Sequence, residues 1–211
     1  MKTYKVKEIY YTLQGEGAQT GRPAIFCRFT GCNLWSGREE DRAEAICQFC
    51  DTDFWGTDGV LGGRYSATEL AQQLKDLWPV AQQGRPYVVC TGGEPLLQLD
   101  EPLIEAMHEQ GFEVAVETNG TKPAPVGLDW ICVSPKAGTD IVLQTGHELK
   151  LVHPQPGAEP ELYAHLNFEH FFLQPMDSPQ QAENTQACLQ YCLAHPQWRL
   201  SLQTHKVLNI D

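Results

Sequence analysis

Residues 87–95 read Tyr-Val-Val-Cys-Thr-Gly-Gly-Glu-Pro. The run Tyr87-Val88-Val89-Cys90 is apolar at every position, as expected of a strand buried on both faces in a parallel sheet. Thr91-Gly92-Gly93-Glu94-Pro95 follows at its C-terminal end. Two glycines there let another backbone or a ligand approach closely. Pro95 sets the exit, so a plain strand-to-loop turn explains the segment equally well.

The same arrangement recurs outward from this stretch. Strands are expected over residues 5–12, 24–29, 112–117, 130–133, 149–152, 171–173 and 198–203. Ser66-Ala67-Thr68-Glu69 is a capping box opening a helix with Leu70, Leu74, Leu77 and Trp78 at helical spacing, ended by Pro79. Asp100-Glu101-Pro102 opens a second helix closed by Gly111, and Ser178-Pro179-Gln180-Gln181 is expected to cap a third that runs to His195-Pro196. Interleaved strands and helices indicate an α/β fold with mostly parallel strands. At 211 residues the chain is short for a closed eight-fold barrel, which takes about 250. An incomplete, open (β/α) barrel is expected, as one domain over residues 1–211. Polar clusters follow the strands at equivalent ends: Glu117-Thr118-Asn119-Gly120, Ser134-Pro135-Lys136, Gln174-Pro175-Met176-Asp177 and His205-Lys206. In such folds that end carries the chemistry.

Composition narrows the function. The net charge is −12, with 27 acidic against 15 basic residues, and no basic stripe. Phosphate neutralisation dominates nucleic-acid binding, so nucleic acid is not an expected partner. No apolar run is long enough to span a bilayer, and residues 1–8 alternate charge without the apolar core of a secretory signal. A cytoplasmic location is expected. There the eight cysteines are thiols, ligands or small buried residues rather than a disulfide framework.

Cys32, Cys47 and Cys50 stand as C-x14-C-x2-C, with a charged, helix-prone insertion at residues 36–46. Thiolates hold iron–sulfur clusters, and a cubane normally takes four. Three protein ligands leave one iron open for a small molecule. Zinc also uses C-x2-C spacing, but no second pair lies nearby, and His153 and His165 are too far apart to form one. A redox pair lacks a thioredoxin-like context. Cys27, Cys90 and Cys132 fall in apolar strands, and Cys188 and Cys192 share a helix face, so these five are expected only to pack.

Several longer matches carry a resemblance. They are Tyr11-Thr12-Leu13-Gln14-Gly15-Glu16-Gly17, then Phe26-Cys27-Arg28-Phe29-Thr30-Gly31-Cys32-Asn33-Leu34, Cys50-Asp51-Thr52 and Thr91-Gly92-Gly93-Glu94-Pro95. With the three polar clusters at residues 117–120, 134–136 and 174–177, they cover nearly the whole chain. The chain resembles the 7-carboxy-7-deazaguanine synthase family of radical S-adenosylmethionine enzymes. It departs from the usual superfamily C-x3-C-x2-C through the insertion, and a subset of that family shares the longer spacing.

The resemblance implies a lyase of queuosine biosynthesis. It would contract the ring of 6-carboxy-5,6,7,8-tetrahydropterin to 7-carboxy-7-deazaguanine with loss of ammonia. It implies a [4Fe-4S] cluster on Cys32, Cys47 and Cys50, S-adenosylmethionine, and Mg²⁺ at Thr52. S-adenosylmethionine contacts are implied at Phe49, Cys50, Asp51, Gly93, Glu94, Ser134, Pro135, Lys136, Gln174, Pro175, Met176 and Asp177. Pterin contacts are implied at Leu13, Gln14, Gly15, Glu16, Arg28, Thr91, Glu117, Asn119, His205 and the terminal Asp211. A homodimer and an electron donor such as flavodoxin or ferredoxin are expected. On residue types alone, Thr52 is equally an N-cap, Arg28 a surface ion pair and Glu117 a loop cap. A glycyl-radical-activating enzyme and a zinc-stabilised interaction module remain as alternatives.

Overall fold

The computed structural model describes residues 2–79 and 84–210. Its strands are β1 (Tyr4–Leu13), β2 (Pro23–Phe29), β3 (Gly63–Tyr65), β4 (Tyr87–Gly92) and β5 (Glu113–Thr118). They continue with β6 (Trp130–Val133), β7 (Thr145–His153), β8 (Asn167–Pro175) and β9 (Trp198–Leu200). All belong to one sheet in the order β3-β1-β2-β4-β5-β6-β7-β8-β9. β1 runs antiparallel to β2 and β3, and every pairing from β2–β4 to β8–β9 is parallel. The edge strands β3 and β9 stand at opposite ends of the order, so the sheet stays an open barrel, as expected.

Side-chain alternation divides the two faces. Ile25 and Cys27 of β2, Val88 and Cys90 of β4, and Val114 and Val116 of β5 pack with Leu70 and Leu74 of α1 (Ala67–Leu77) and with Leu103, Ile104 and Met107 of α2 (Glu101–Glu109). Leu149, Leu151, Phe171 and Leu173 pack with Cys188 of α3 (Gln181–Ala194). The opposite face begins apolar, with Ala24, Tyr87, Val89 and Ala115. Farther toward the C-terminal ends, and on across β6 and β7, it becomes polar: Arg28 lies beside Thr91, and Glu117 beside Cys132, which in turn adjoins Glu148. The polar ends therefore share one face and one rim.

Several expectations are corrected. β3 is an additional short strand. No α-helix joins β5 to β6 or β6 to β7, so helices do not interleave throughout. Strands β7 and β8 are longer than expected. The insertion forms a 3₁₀ segment, Glu39–Glu44, rather than an α-helix. Ser178 does not cap α3, because its Oγ accepts from Gln180 N at 3.2 Å and Asn184 Nδ2 at 3.1 Å within a turn. β9 stops at Leu200. Beyond it Thr204 N bonds Gly15 O at 2.9 Å and the chain forms α4 (Thr204–Leu208), so a helix follows the final strand. None of the helices in the described residues is long and apolar enough to cross a membrane.

The capping box of α1 is present: Glu69 N donates to Ser66 Oγ at 3.3 Å and Ser66 N to Glu69 Oε2 at 2.8 Å. Ser66→Ala is expected to lower stability by about 1 kcal/mol and Ser66→Gly by only a few tenths. Urea unfolding of the two variants checks this; equal midpoints would show that the cap is idle.

Candidate active site

Two adjoining chambers open at the C-terminal ends of the parallel strands, one of about 480 Å³ and one of about 210 Å³. Glu16, Asp51, Thr52, Thr91, Glu117 and Gln203 line both and so form the wall between them.

The smaller chamber holds Cys32, Cys47 and Cys50, all free thiols. Leu34 N donates to Cys32 Sγ at 3.4 Å. Burial pushes the Cys32 and Cys47 thiols above their ordinary range, and Lys136 pulls Cys47 back. The cysteine loop rests on Gly93, where a Cβ would run into Gly31 O and stand 2.8 Å from Cys32 Cβ. Only glycine permits that approach. Phe49, Ser134, Gln174, Pro175, Met176 and Asp177 line the same chamber. Lys136 also lines it, donating to Ser134 O and Oγ at 2.7 Å each; burial lowers its pKa.

Three expected residues sit differently. Glu94 is wholly buried, and its carboxylate accepts from Thr118 Oγ1 at 2.7 Å, Asn119 N at 2.8 Å and Leu96 N at 2.9 Å. It braces the loop from within instead of facing the chamber. Pro135 does not line either chamber; its carbonyl accepts from Gln155 Nε2. Asn119 falls in the smaller chamber with the cysteines, its amide engaged by Asn33 and Thr121.

Leu13, Gln14, Gly15, Arg28 and His205 line the larger chamber, together with the wall residues. Arg28 is held by Glu8 Oε1 and Tyr10 OH, at 2.8 Å each, which leaves its remaining N–H groups for a ligand. Asp211 lies outside the described residues.

Beneath the wall lies a buried ionic network. The Lys150 ammonium is 4% exposed and stands 2.7 Å from Glu16 Oε2 and 2.8 Å from Glu117 Oε2. Gln14 Nε2 donates to the other Glu117 oxygen at 3.1 Å, and Gln203 Nε2 to Glu16 Oε1 at 3.0 Å. Burial opposes the lysine's charge, yet Cys132, Glu117, Glu16 and Glu148 around it raise its pKa well above the ordinary value. Glu148 accepts from Ala18 N at 2.7 Å. A Cβ on Gly17, whose φ is +65, would strike the Glu148 carboxylate. Ligand atoms of Glu117, Cys132 and Glu148 lie within 4.8 Å of one another, as a metal would want. The ammonium already holds the cation's place beside Glu117. Cys132 thus faces polar groups rather than only packing.

Lys150, Glu148 and Gln203 are not among the expected site residues, and Lys206 is expected only as part of a polar cluster, with no role. Glu148 and Lys150 alternate in a buried strand, which would have placed both on the polar face. Lys206 bridges Asp51 at 2.9 Å and Asp177 at 2.5 Å, fastening α4 across the site.

The family model for the radical SAM superfamily matches residues 42–153. The 7-carboxy-7-deazaguanine synthase of Bradyrhizobium diazoefficiens is 65% identical, covering 99% of each chain. That of Bordetella pertussis is 64% identical over 98% of this chain and 99% of its own. The crystal structure of QueE from Escherichia coli is similar with a TM-score of 0.72 at 29% identity, over 95% of this chain and 93% of that one.

Burial would raise the Glu16 pKa from its ordinary 4.5, but the charge and hydrogen bond of Lys150, helped by Gln203 and His205, bring it to about 2. A depressed carboxyl pKa stabilises the folded state above the unfolded value and loses that contribution as pH falls through the folded one. Wild-type stability should therefore fall between pH 4.5 and about 2 more steeply than that of Glu16→Gln. Parallel profiles in acid denaturation would show that the ion pair contributes nothing.

Proposed function

The chain belongs to the 7-carboxy-7-deazaguanine synthase family of radical S-adenosylmethionine enzymes, and from that premise we propose that it turns 6-carboxy-5,6,7,8-tetrahydropterin into 7-carboxy-7-deazaguanine with loss of ammonia. The observation that carries this reading is the pair of chambers with a common wall, one lined by three free thiols and the other by polar strand ends.

The donor set fits an iron–sulfur cubane. Soft thiols are what iron–sulfur clusters take. Three of them open on one chamber, with a backbone N–H already directed at a sulfur. Cys32, Cys47 and Cys50 would hold the cluster. Phe49, Asp51, Gly93, Ser134, Lys136, Gln174, Pro175, Met176 and Asp177 would surround S-adenosylmethionine, with Glu94 supporting the loop through its buried carboxylate and Pro135 through its carbonyl. Thr52, in the common wall, is suited to Mg²⁺, which is held by few protein groups and shares its shell with substrate oxygens. When bound, these groups supply one-electron chemistry that abstracts hydrogen from the pterin, and a Lewis acid for its oxygens.

The chain's own residues bind and orient. Leu13, Gln14, Gly15, Arg28, Thr91 and His205 line the pterin chamber, with Glu16 and Glu117 held in its wall by Lys150. Those carboxylates are suited to accept from the amino and ring N–H groups of the pterin. Asn119 steadies the wall from the cofactor side. We further read the chain as one radical S-adenosylmethionine domain with its insertion at 36–46, working in the cytoplasm as a homodimer. A single cluster takes electrons one at a time, so a flavodoxin or ferredoxin is the fitting donor.

Anaerobic incubation with the pterin, S-adenosylmethionine and a reductant tests the reaction; the absence of 7-carboxy-7-deazaguanine by mass spectrometry would overturn it. Cys32→Ala, Cys47→Ala and Cys50→Ala should each abolish cluster assembly, while Cys188→Ala, buried against the helix-covered face, should keep full iron content. Thr52→Ala should weaken the response of turnover to added magnesium, and an unchanged titration would remove Thr52 from the metal site.

A further inference from the structure

The insertion that lengthens the cysteine loop folds back onto it. Arg42, in the 3₁₀ segment Glu39–Glu44, spends its guanidinium on that loop. One terminal nitrogen donates to Gln48 O at 2.9 Å and to Cys50 O at 3.0 Å. Its Nε reaches both oxygens of Glu39 at 2.8 Å. The guanidinium lies over the Trp35 ring, 4.1 Å from its centroid. Trp35 is itself buried and meets Phe54 edge-on at 5.4 Å. Gln48 returns a bond from the other side, its Nε2 donating to Ala43 O at 3.0 Å.

The segment that receives these bonds has little else to hold it. Residues 47–54 belong to no helix or strand. Past Cys50 the next fixed points are side chains: Lys206 bridges Asp51 at 2.9 Å, and Lys7 pairs with Asp53 and Asp58 at 2.8 Å each. Between the Leu34 carbonyl, which holds Cys47 N, and the Lys206–Asp51 bridge, Arg42 is what ties the backbone of the C-x2-C turn, at the carbonyls of Gln48 and Cys50. Its planar fork presents two donors in fixed geometry and stacks on an aromatic face, which a lysine does not reproduce.

We propose that Arg42 is a positioning residue for the cluster, and that the insertion is a strap fixing the C-x2-C turn so that both sulfurs meet the iron. The proposal rests on reading Cys32, Cys47 and Cys50 as the ligands. Groups of this kind around a metal site commonly alter affinity about 10–100-fold when removed.

The test is iron release to a ferrous chelator from anaerobically reconstituted protein, without S-adenosylmethionine, followed by the loss of visible absorbance. Arg42→Ala should release iron about tenfold faster than wild type. Arg42→Lys should remain fast, because charge alone does not restore the fork. Unfolding midpoints of the unloaded proteins should agree, since Arg42 touches only the loop and its insertion. Release from Arg42→Ala at the wild-type rate overturns the strap alone. Rescue by Arg42→Lys also overturns it, leaving only a charge effect. Wild type that takes up no iron overturns the ligand reading, and the strap with it.

Discussion

A lysine ammonium with almost no access to water imposes the strictest condition on this fold. Removing such a charge from solvent costs several kcal/mol unless carboxylates surround it with good geometry. Lys150 has Glu16, Glu117 and Glu148 around it, drawn from the loop after β1, from β5 and from β7 itself. Loss of the lysine would leave Glu16 and Glu117 without their counter-charge, a penalty of about 3–5 kcal/mol. The wall of the site and the packing of the open barrel are therefore one arrangement. The Gln14-Gly15-Glu16-Gly17 stretch follows from it. Glu16 reaches the lysine, Gln14 steadies Glu117, and Gly17 must lack a side chain because Glu148 lies against it.

Glycine plays the corresponding part on the cofactor side. Gly92, with φ +144, lies so close to Phe29 that a Cβ would collide with its backbone, and Gly93 lies as close to Gly31 and Cys32. The end of β4 and the start of the cysteine loop are thus backbone against backbone. A side chain at either position would separate the thiols from the strand end that carries Thr91.

Much of this was legible in the residues. The apolar run at 87–90 and the alternation on either side of it were enough for parallel strands with polar C-terminal ends, and the C-x14-C-x2-C spacing for the thiol set. What escaped did so for physical reasons. Strand β7 begins at Thr145, but its polar opening, which includes Glu148, hid it until Leu149. Residues 201–203 read as a continuing strand, yet Ser201 N makes the last bond to β8, at Leu173 O, and beyond it Gln203 reaches Glu16 and Thr204 N bonds Gly15 O, so the chain leaves the ladder for the β1 loop. Glu94 sits in the most recognisable motif of the chain and serves it from inside. Sequence alone does not distinguish a residue that meets a ligand from one that holds up the loop that does.

An open barrel keeps two free edges, and each is a row of unpaired backbone groups able to recruit another chain. Here the edges are Gly63-Arg64-Tyr65 and Trp198-Arg199-Leu200, three residues apiece with an exposed arginine at the centre. A strand that short offers few hydrogen bonds to a growing ribbon, and the cation repels an identical edge. The gap that leaves the barrel unclosed is thereby guarded against sheet-to-sheet aggregation. Replacing either arginine with a β-branched apolar residue would touch no part of the site, and its consequence would be insolubility rather than lost catalysis.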